Sequence, residues 1–381
     1  MISEVGVVKC RDYDYELVYR SVKRSIELAG GLKGRVKKGD SVLLKVNLIG
    51  AFKPERAATT HPSVVRAVCE IIGEIGGNPI VADSSGAISD VEEAFRLSGI
   101  EEAAKKAGVK VVNLQKYGYK KVKVAKGKQL KEMYFSKKVL ESDLVISLPK
   151  LKTHVLALYT GSIKNFFGCI PRKERKLSHR LAKLEPFSQS IVDIFSLSSC
   201  DFSIMDGVVG MEGNGPTHGK PRKLGAIISG NDCVAVDAVS ADLIGFKALD
   251  IPHIRQAAEQ GLGICNMDNI AIKGDYIEKI NFRKGSMVKG MAGRLPPKMI
   301  DIIQDIIMAK PYLESKKCTK CGFCMKSCPA DAISMAPYPI IDRDKCILCY
   351  CCHENCPTGA MDLRKPYIGE MVSWVRDRIG V

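Results

Sequence analysis

Residues 40–48 read DSVLLKVNL, an apolar, branched run that takes its meaning from its neighbours in the chain. Taken alone it reads as a buried strand. Next comes PSVVRAVCEIIGEIG (62–76), whose apolar residues recur at helical spacing and whose Pro62 suits a first helical turn. NPIVADSS (78–85) reads as another strand, DVEEAFRLSGIEEAAKKAG (90–108) as helix, and VKVVNL (109–114) and DLVISLPK (143–150) as further strands. DFSIMDGVVG (201–210), LGAIISG (224–230) and CVAVDAVSADLIG (233–245) continue the pattern. Strands alternating with helices specify an α/β fold built on a doubly wound, mainly parallel sheet. Such sheets hold ligands beyond the carboxyl ends of their strands. Asn47, Asp83, Ser84, Ser85, Lys150, Lys152, His154 and Asp206 all fall at strand ends of this kind.

The stretch KLKTHVLALYTGSIKNFFG (150–168) sets Lys150, Lys152, His154, Lys164 and Asn165 among apolar residues. One reading is an anion or cofactor pocket, with the lysines as clamps and His154 as an acid–base group or metal ligand. The other is a solvated loop, with Lys152 and Lys164 on the surface and His154 bonded to backbone. The concentration of polar groups, together with His61, favours a site. GMEGNGPTHGKP (210–221) holds Glu212, Asn214, Thr217 and His218 and reads as an anion nest, a metal loop or a long turn. No dinucleotide-binding G-x-G-x-x-G sits between a strand and a helix, and no phosphate-binding G-x-x-x-x-G-K-S/T is present. Asp237, inside an apolar helix, must be paired or functional.

The 381 residues allow two domains, and 46% hydrophobic with 26% charged residues is ordinary for a globular protein. The opening MISEVGVVKCRDYDY is broken by Glu4, Lys9 and Arg11, unlike a secretory leader, and no apolar run reaches membrane-span length. A cytoplasmic location is expected. The net charge of +16 is dispersed along the chain, which favours a solvated basic surface over nucleic-acid binding. It also suits a small anionic substrate or an acidic redox partner protein.

Fifteen cysteines in such a chain point to metal rather than disulfides. CTKCGFCMKSCP supplies Cys318, Cys321, Cys324 and Cys328; CILCYCCHENCP supplies Cys346, Cys349, Cys352 and Cys356. Both are C-x2-C-x2-C-x3-C-P, the bacterial ferredoxin spacing, in which the fourth cysteine serves the other cluster. The expected sets are Cys318, Cys321, Cys324 and Cys356 for one [4Fe–4S] cluster, and Cys346, Cys349, Cys352 and Cys328 for the other. Paired zinc sites would prefer isolated C-x2-C pairs further apart. Cys351 is an extra thiol, and His353 would tune potential rather than ligate iron. Cys10, Cys69, Cys169, Cys200, Cys233 and Cys265 read as small core residues, with Cys169 the one to test for chemistry. The expected division is an α/β domain over 1–310, a small α+β two-cluster domain over 311–365, and a docking helix over 366–381.

KVNL, TTHPSVVRAV, VISLPKLKTH, GSIKNFFG, MDGVVGMEGNGPTHGKP and DCVAVDAVSADLIG together resemble the family called domain of unknown function 362, here joined to a two-cluster ferredoxin module. A fainter similarity leads to the nickel-pincer lactate racemases. It implies His154 as an acid–base group, Lys164 as the lysine tethering a pincer nucleotide, His179 as a nickel ligand and His61 as a further acid–base histidine. KNFFG departs from the racemase pattern, and a racemase with its own hydride acceptor needs no ferredoxin module. The expectation is an iron–sulfur oxidoreductase whose clusters serve a substrate or an additional cofactor in the α/β domain. The other readings are an electron carrier or assembly protein that docks a partner, and a redox-gated regulator that binds anions or nucleic acid.

Overall fold

The computed structural model describes residues 2–86, 90–285 and 308–364. A ten-stranded sheet forms the body. Its strands are β1 Ser3–Lys9, β2 Ser41–Val46, β3 Asn78–Asp83, β4 Lys110–Asn113, β7 Leu144–Leu148, β8 Lys150–His154, β9 Leu158–Thr160, β10 Phe202–Glu212, β11 Lys220–Gly230 and β12 Ile270–Gly274, with β5 Tyr119–Lys123 and β6 Glu132–Ser136 paired apart from it. The order is β12-β1-β11-β10-β7-β2-β3-β4, and β8 joins β10 and β9 off this path.

Alternation along β2 explains the layers. Val42, Leu44 and Val46 pack with the helices Tyr15–Leu28 and Pro62–Glu74, whereas Leu43 faces the core built on Leu184–Phe195, Cys233–Leu243 and Pro252–Glu259. Helices therefore cover both faces, and the sheet is doubly wound and mainly parallel. One departure is β11, which runs antiparallel between β1 and β10. It returns through a tight connection after β10, too short for a crossover helix.

A second departure falls inside the 143–150 strand. Pro149 carries no N–H for the ladder, and β7 stops at Leu148. Lys150–His154 then starts a separate strand alongside β10, in a register that sets Lys150 opposite Asp206.

Residues 308–364 build a small α+β unit. It has two short helices, Phe323–Ser327 and Cys351–Glu354, and two strand pairs: β13 Lys310–Leu313 with β16 Met361–Arg364, and β14 Ile333–Met335 with β15 Pro339–Ile341. It rests on the body at named points. Thr217 Oγ1 donates to the Glu354 carbonyl (3.0 Å), Arg180 Nε donates to the Pro329 carbonyl (2.8 Å), and Lys176 pairs with Asp331 (3.3 Å). The expected docking helix over 366–381 lies outside the described residues. Among the described residues no helix is long and apolar enough to cross a membrane.

Candidate functional site

The eight cysteines of the two motifs sort into two pockets. One is lined by Cys318, Cys321, Cys324 and Cys356; the other by Cys328, Cys346, Cys349 and Cys352. Each pocket takes three thiols from one motif and the fourth from the other. Among the described residues no three His, Cys, Asp or Glu side chains converge tightly enough for a single ion. Four thiols spread around an apolar pocket suit a cubane, where each binds a different iron. His353, next to Cys352 in the chain, is buried with its Nδ1 2.8 Å from the carbonyl of Met361, a residue that lines the first pocket.

The second constellation lies in the body. Lys45, in mid-strand, pairs with Asp83 at 2.8 Å while both are nearly sealed from solvent. Gly168 closes over them: a Cβ there would stand 2.6 Å from Asp83 Oδ1 and 2.9 Å from Lys45 Nζ. A Cβ at Gly161 would strike Asp237 Oδ1 and the Tyr159 hydroxyl. The two glycines bounding GSIKNFFG are thus dictated by carboxylates packed against the backbone. Asp237 accepts from the amides of Ser162 (2.6 Å) and Ile163 (3.0 Å), which fixes the turn Ser162–Asn165 and so the position of Lys164.

Lys150 Nζ donates to Asp206 Oδ2 (2.8 Å) and to the Tyr13 hydroxyl (2.6 Å), and Tyr13 donates to Asp206 Oδ1 (2.8 Å). The His61 amide also bonds Asp206 (2.9 Å), and its ring stacks on Tyr13 at 3.5 Å. His61 Nδ1 accepts from Ser63 N, capping the helix Pro62–Glu74. Lys152 donates to Asn47 Oδ1 and to the Ala58 carbonyl, both at 2.7 Å. Asn165 Nδ2 ties the Lys164 turn to the Lys45 carbonyl at 2.8 Å.

His154 Nδ1 accepts from the amides of Leu156 (3.1 Å) and Ala157 (3.2 Å), so a neutral ring carries its proton on Nε2. That atom faces Glu354 Oε1 at 3.6 Å, and both are buried without a hydrogen-bond partner. Closure by about half an ångström would make the bond. Burial pushes the His154 imidazole well down, helped by Lys164, so the ring is neutral. Burial drives the Glu354 carboxyl up to about 7 and the Lys164 ammonium down to about 8, each shift opposed by the charge of the other group. Lys164 is half-buried, its ammonium 5.3 Å from the Phe167 ring centre.

Glu354 is the member of this centre that residue patterns do not reveal. It ends a cluster-loop helix, and nothing local marks it as reaching a histidine 200 positions earlier. The arrangement can do one thing well: the neutral His154 N–H donor with the Lys164 ammonium nearby can hold an oxyanion. The carboxyl group of Glu354 already lies there, 3.6 Å from Nε2.

Other expected positions have their own settings. His179 lies near this centre, between Phe167 and Phe187. Glu212 accepts from the Arg283 amide (3.1 Å), and His218 Nδ1 is 3.1 Å from Arg56 with its ring 4.8 Å from that of His353. The glycine loop thus seats the cluster unit, and it also braces the residues either side of His154: the Val155 amide donates to the Gly215 carbonyl (3.0 Å) and Thr153 Oγ1 to the Gly213 carbonyl (2.8 Å). Cys169 is buried, and its thiol is pushed up to about 12, so it stays protonated.

His179 gives a pH-dependent signature. Burial, then Lys164 and Arg175, push its imidazole from 6.5 down to about 3. The unfolded ring takes a proton below about pH 6.5 and the folded ring does not. Its contribution to stability is whole above that pH and is lost as pH falls toward 3. The urea midpoint of His179→Phe should therefore fall less between about pH 7 and about pH 5 than that of the parent protein. Equal falls would rule out this residue as a source of the slope.

Fold and pockets define a class, an α/β body carrying an iron–sulfur electron-transfer module. The family described as "Domain of unknown function (DUF362)" matches residues 42–242, and a 4Fe-4S dicluster domain matches residues 317–360. The chain belongs to the DUF362 family. A thylakoid-associated protein of Synechocystis sp. (strain ATCC 27184 / PCC 6803 / Kazusa) is 32% identical over 266 residues, 69% of this chain and 81% of that protein. The lactate racemase apoprotein from Thermoanaerobacterium thermosaccharolyticum aligns with a TM-score of 0.40 and 12% identity over 59% of this chain; the chain spans about half of that protein, 53% of its length.

Proposed function

We propose that the protein is a cytoplasmic iron–sulfur oxidoreductase in which two [4Fe–4S] clusters exchange electrons with a small anionic substrate or second cofactor held at His154, Lys164 and Lys152. Cys318, Cys321, Cys324 and Cys356 would hold one cluster, and Cys328, Cys346, Cys349 and Cys352 the other. Bound there, the clusters supply one-electron transfer. The chain's own residues do the rest. Lys164 attracts the anion, Lys152 orders Asn47 and the Ala58 carbonyl beside it, and His154 donates Nε2–H to its oxygen. Burial of His154 keeps water away, and Lys150, Asp206 and Tyr13 hold β8 in register.

The observation that carries this reading is the short helix Cys351–Glu354. It contains the cluster thiol Cys352 and, two residues on, the carboxylate that faces His154 at 3.6 Å. A cluster wall and the carboxyl group that faces His154 thus share one helical turn.

The test is anaerobic native mass spectrometry of protein purified from its own host, alongside Lys164→Ala and His154→Ala. The reading expects an organic mass beyond the chain and two clusters, lost by at least about tenfold in both variants while the cluster absorbance is unchanged. Only chain and clusters in the parent protein would rule out a resident second cofactor; turnover left unchanged by both substitutions would then sink the site and leave an electron carrier that docks a partner.

A further inference from the structure

A pair of thiols lies apart from the cluster motifs. Cys233 is the first residue of the helix Cys233–Leu243, and Cys200 lies two residues before the start of β10. The Cys233 thiol donates to Cys200 Sγ with the sulfurs 3.1 Å apart, and Cys200 in turn donates to the Phe202 carbonyl at 3.3 Å. Cys233 is buried and Cys200 is partly exposed. A disulfide needs its sulfurs about 2.05 Å apart, so about 1 Å of approach separates this pair from a covalent bond. The asymmetry of exposure also assigns roles, since the outer sulfur meets a reagent and the inner one resolves it.

We propose that Cys200 and Cys233 form a reversible dithiol–disulfide site whose oxidant is a low-molecular-weight disulfide of the glutathione class. Cys200, having given up its proton to solvent, attacks one sulfur of that disulfide. A mixed disulfide forms and one small thiolate leaves, taking up a proton. Cys233 then loses its proton and attacks Cys200 Sγ; the protein disulfide forms and the second small thiol departs. Two protein thiols are oxidised and one small disulfide is reduced to two thiols. The site stands on its own geometry, whatever the His154 pocket binds. Its place in the fold gives it a readout: Asp237, one turn along the same helix from Cys233, bonds the amides that position the Lys164 turn.

The test equilibrates reduced, cluster-loaded protein anaerobically with mixtures of glutathione and its disulfide. Free thiols are then alkylated in denaturant, and the digest is mapped. The proposal expects a linked pair of peptides containing Cys200 and Cys233, two hydrogens lighter than the reduced pair. The link should revert with dithiothreitol, with the cluster absorbance before denaturation unchanged. In Cys233→Ser the glutathione adduct on Cys200 should persist, because its resolving thiol is gone. Alkylation of both cysteines at every ratio in the parent protein would overturn it. So would a lasting adduct on Cys200 in the parent protein, or a link from either residue to a different cysteine.

Discussion

A chain carrying Cys318→Ala together with Cys356→Ala retains about four irons, whereas one carrying Cys318→Ala together with Cys328→Ala retains almost none. The asymmetry comes from the pockets. Cys318 and Cys356 line the same one, so the first pair of substitutions damages a single cluster twice. Cys328 lines the other with Cys346, Cys349 and Cys352, so the second pair damages both clusters once. Were each motif to hold its own cluster, the outcomes would exchange: Cys318 with Cys328 would spare four irons and Cys318 with Cys356 would lose all. Iron and acid-labile sulfide analysis of anaerobically reconstituted protein decides between them. Paired variants are better than single ones because the single losses look alike under either assignment.

Lys150→Met should lower the unfolding free energy by about 3–5 kcal/mol, the loss typical when one partner of a buried ion pair is removed. The Lys150 side chain is 1% exposed and that of Asp206 is 0% exposed, so no water can replace the missing ammonium. Asp206 keeps Tyr13 and the His61 amide as donors, but these are dipoles facing a full charge. Adding Asp206→Asn removes that charge and should restore at least about 1 kcal/mol relative to Lys150→Met alone. Urea unfolding under anaerobic conditions measures both. A single variant within about 1 kcal/mol of the parent, or a double variant worse than the sum of the singles, would show that the pair does not hold β8.

The sequence read well wherever the signal was local. The strands over 41–46, 78–83 and 144–148 and the helix over 62–74 follow from apolar period alone, and the cysteine motifs carry their chemistry in their spacing. The site was only half legible. Lys150, Lys152 and His154 announced themselves by polarity at a strand end, but that they form a strand of their own depended on Pro149 and on a pairing with β10 more than fifty residues later. Lys45 looked like any residue in an apolar run, because its partner Asp83 belongs to the neighbouring strand. Lys152, one candidate for an exposed loop, is fully buried because Asn47 and the Ala58 carbonyl meet it there. Glu354 had no local signal at all: its meaning arises where the cluster unit lands on the glycine loop through Thr217. Contacts between distant segments are what a residue pattern does not encode.

The landing of that helix also orders events in the life of the chain. Its backbone is held by Thr217 and its carboxylate stops at His154, while the cysteine two residues before the carboxylate faces the iron pocket. On the proposed reading, loading iron at Cys352 and setting the Glu354 carboxyl group against His154 are one step of maturation, and the supply of iron and sulfide then governs how many copies reach the working state.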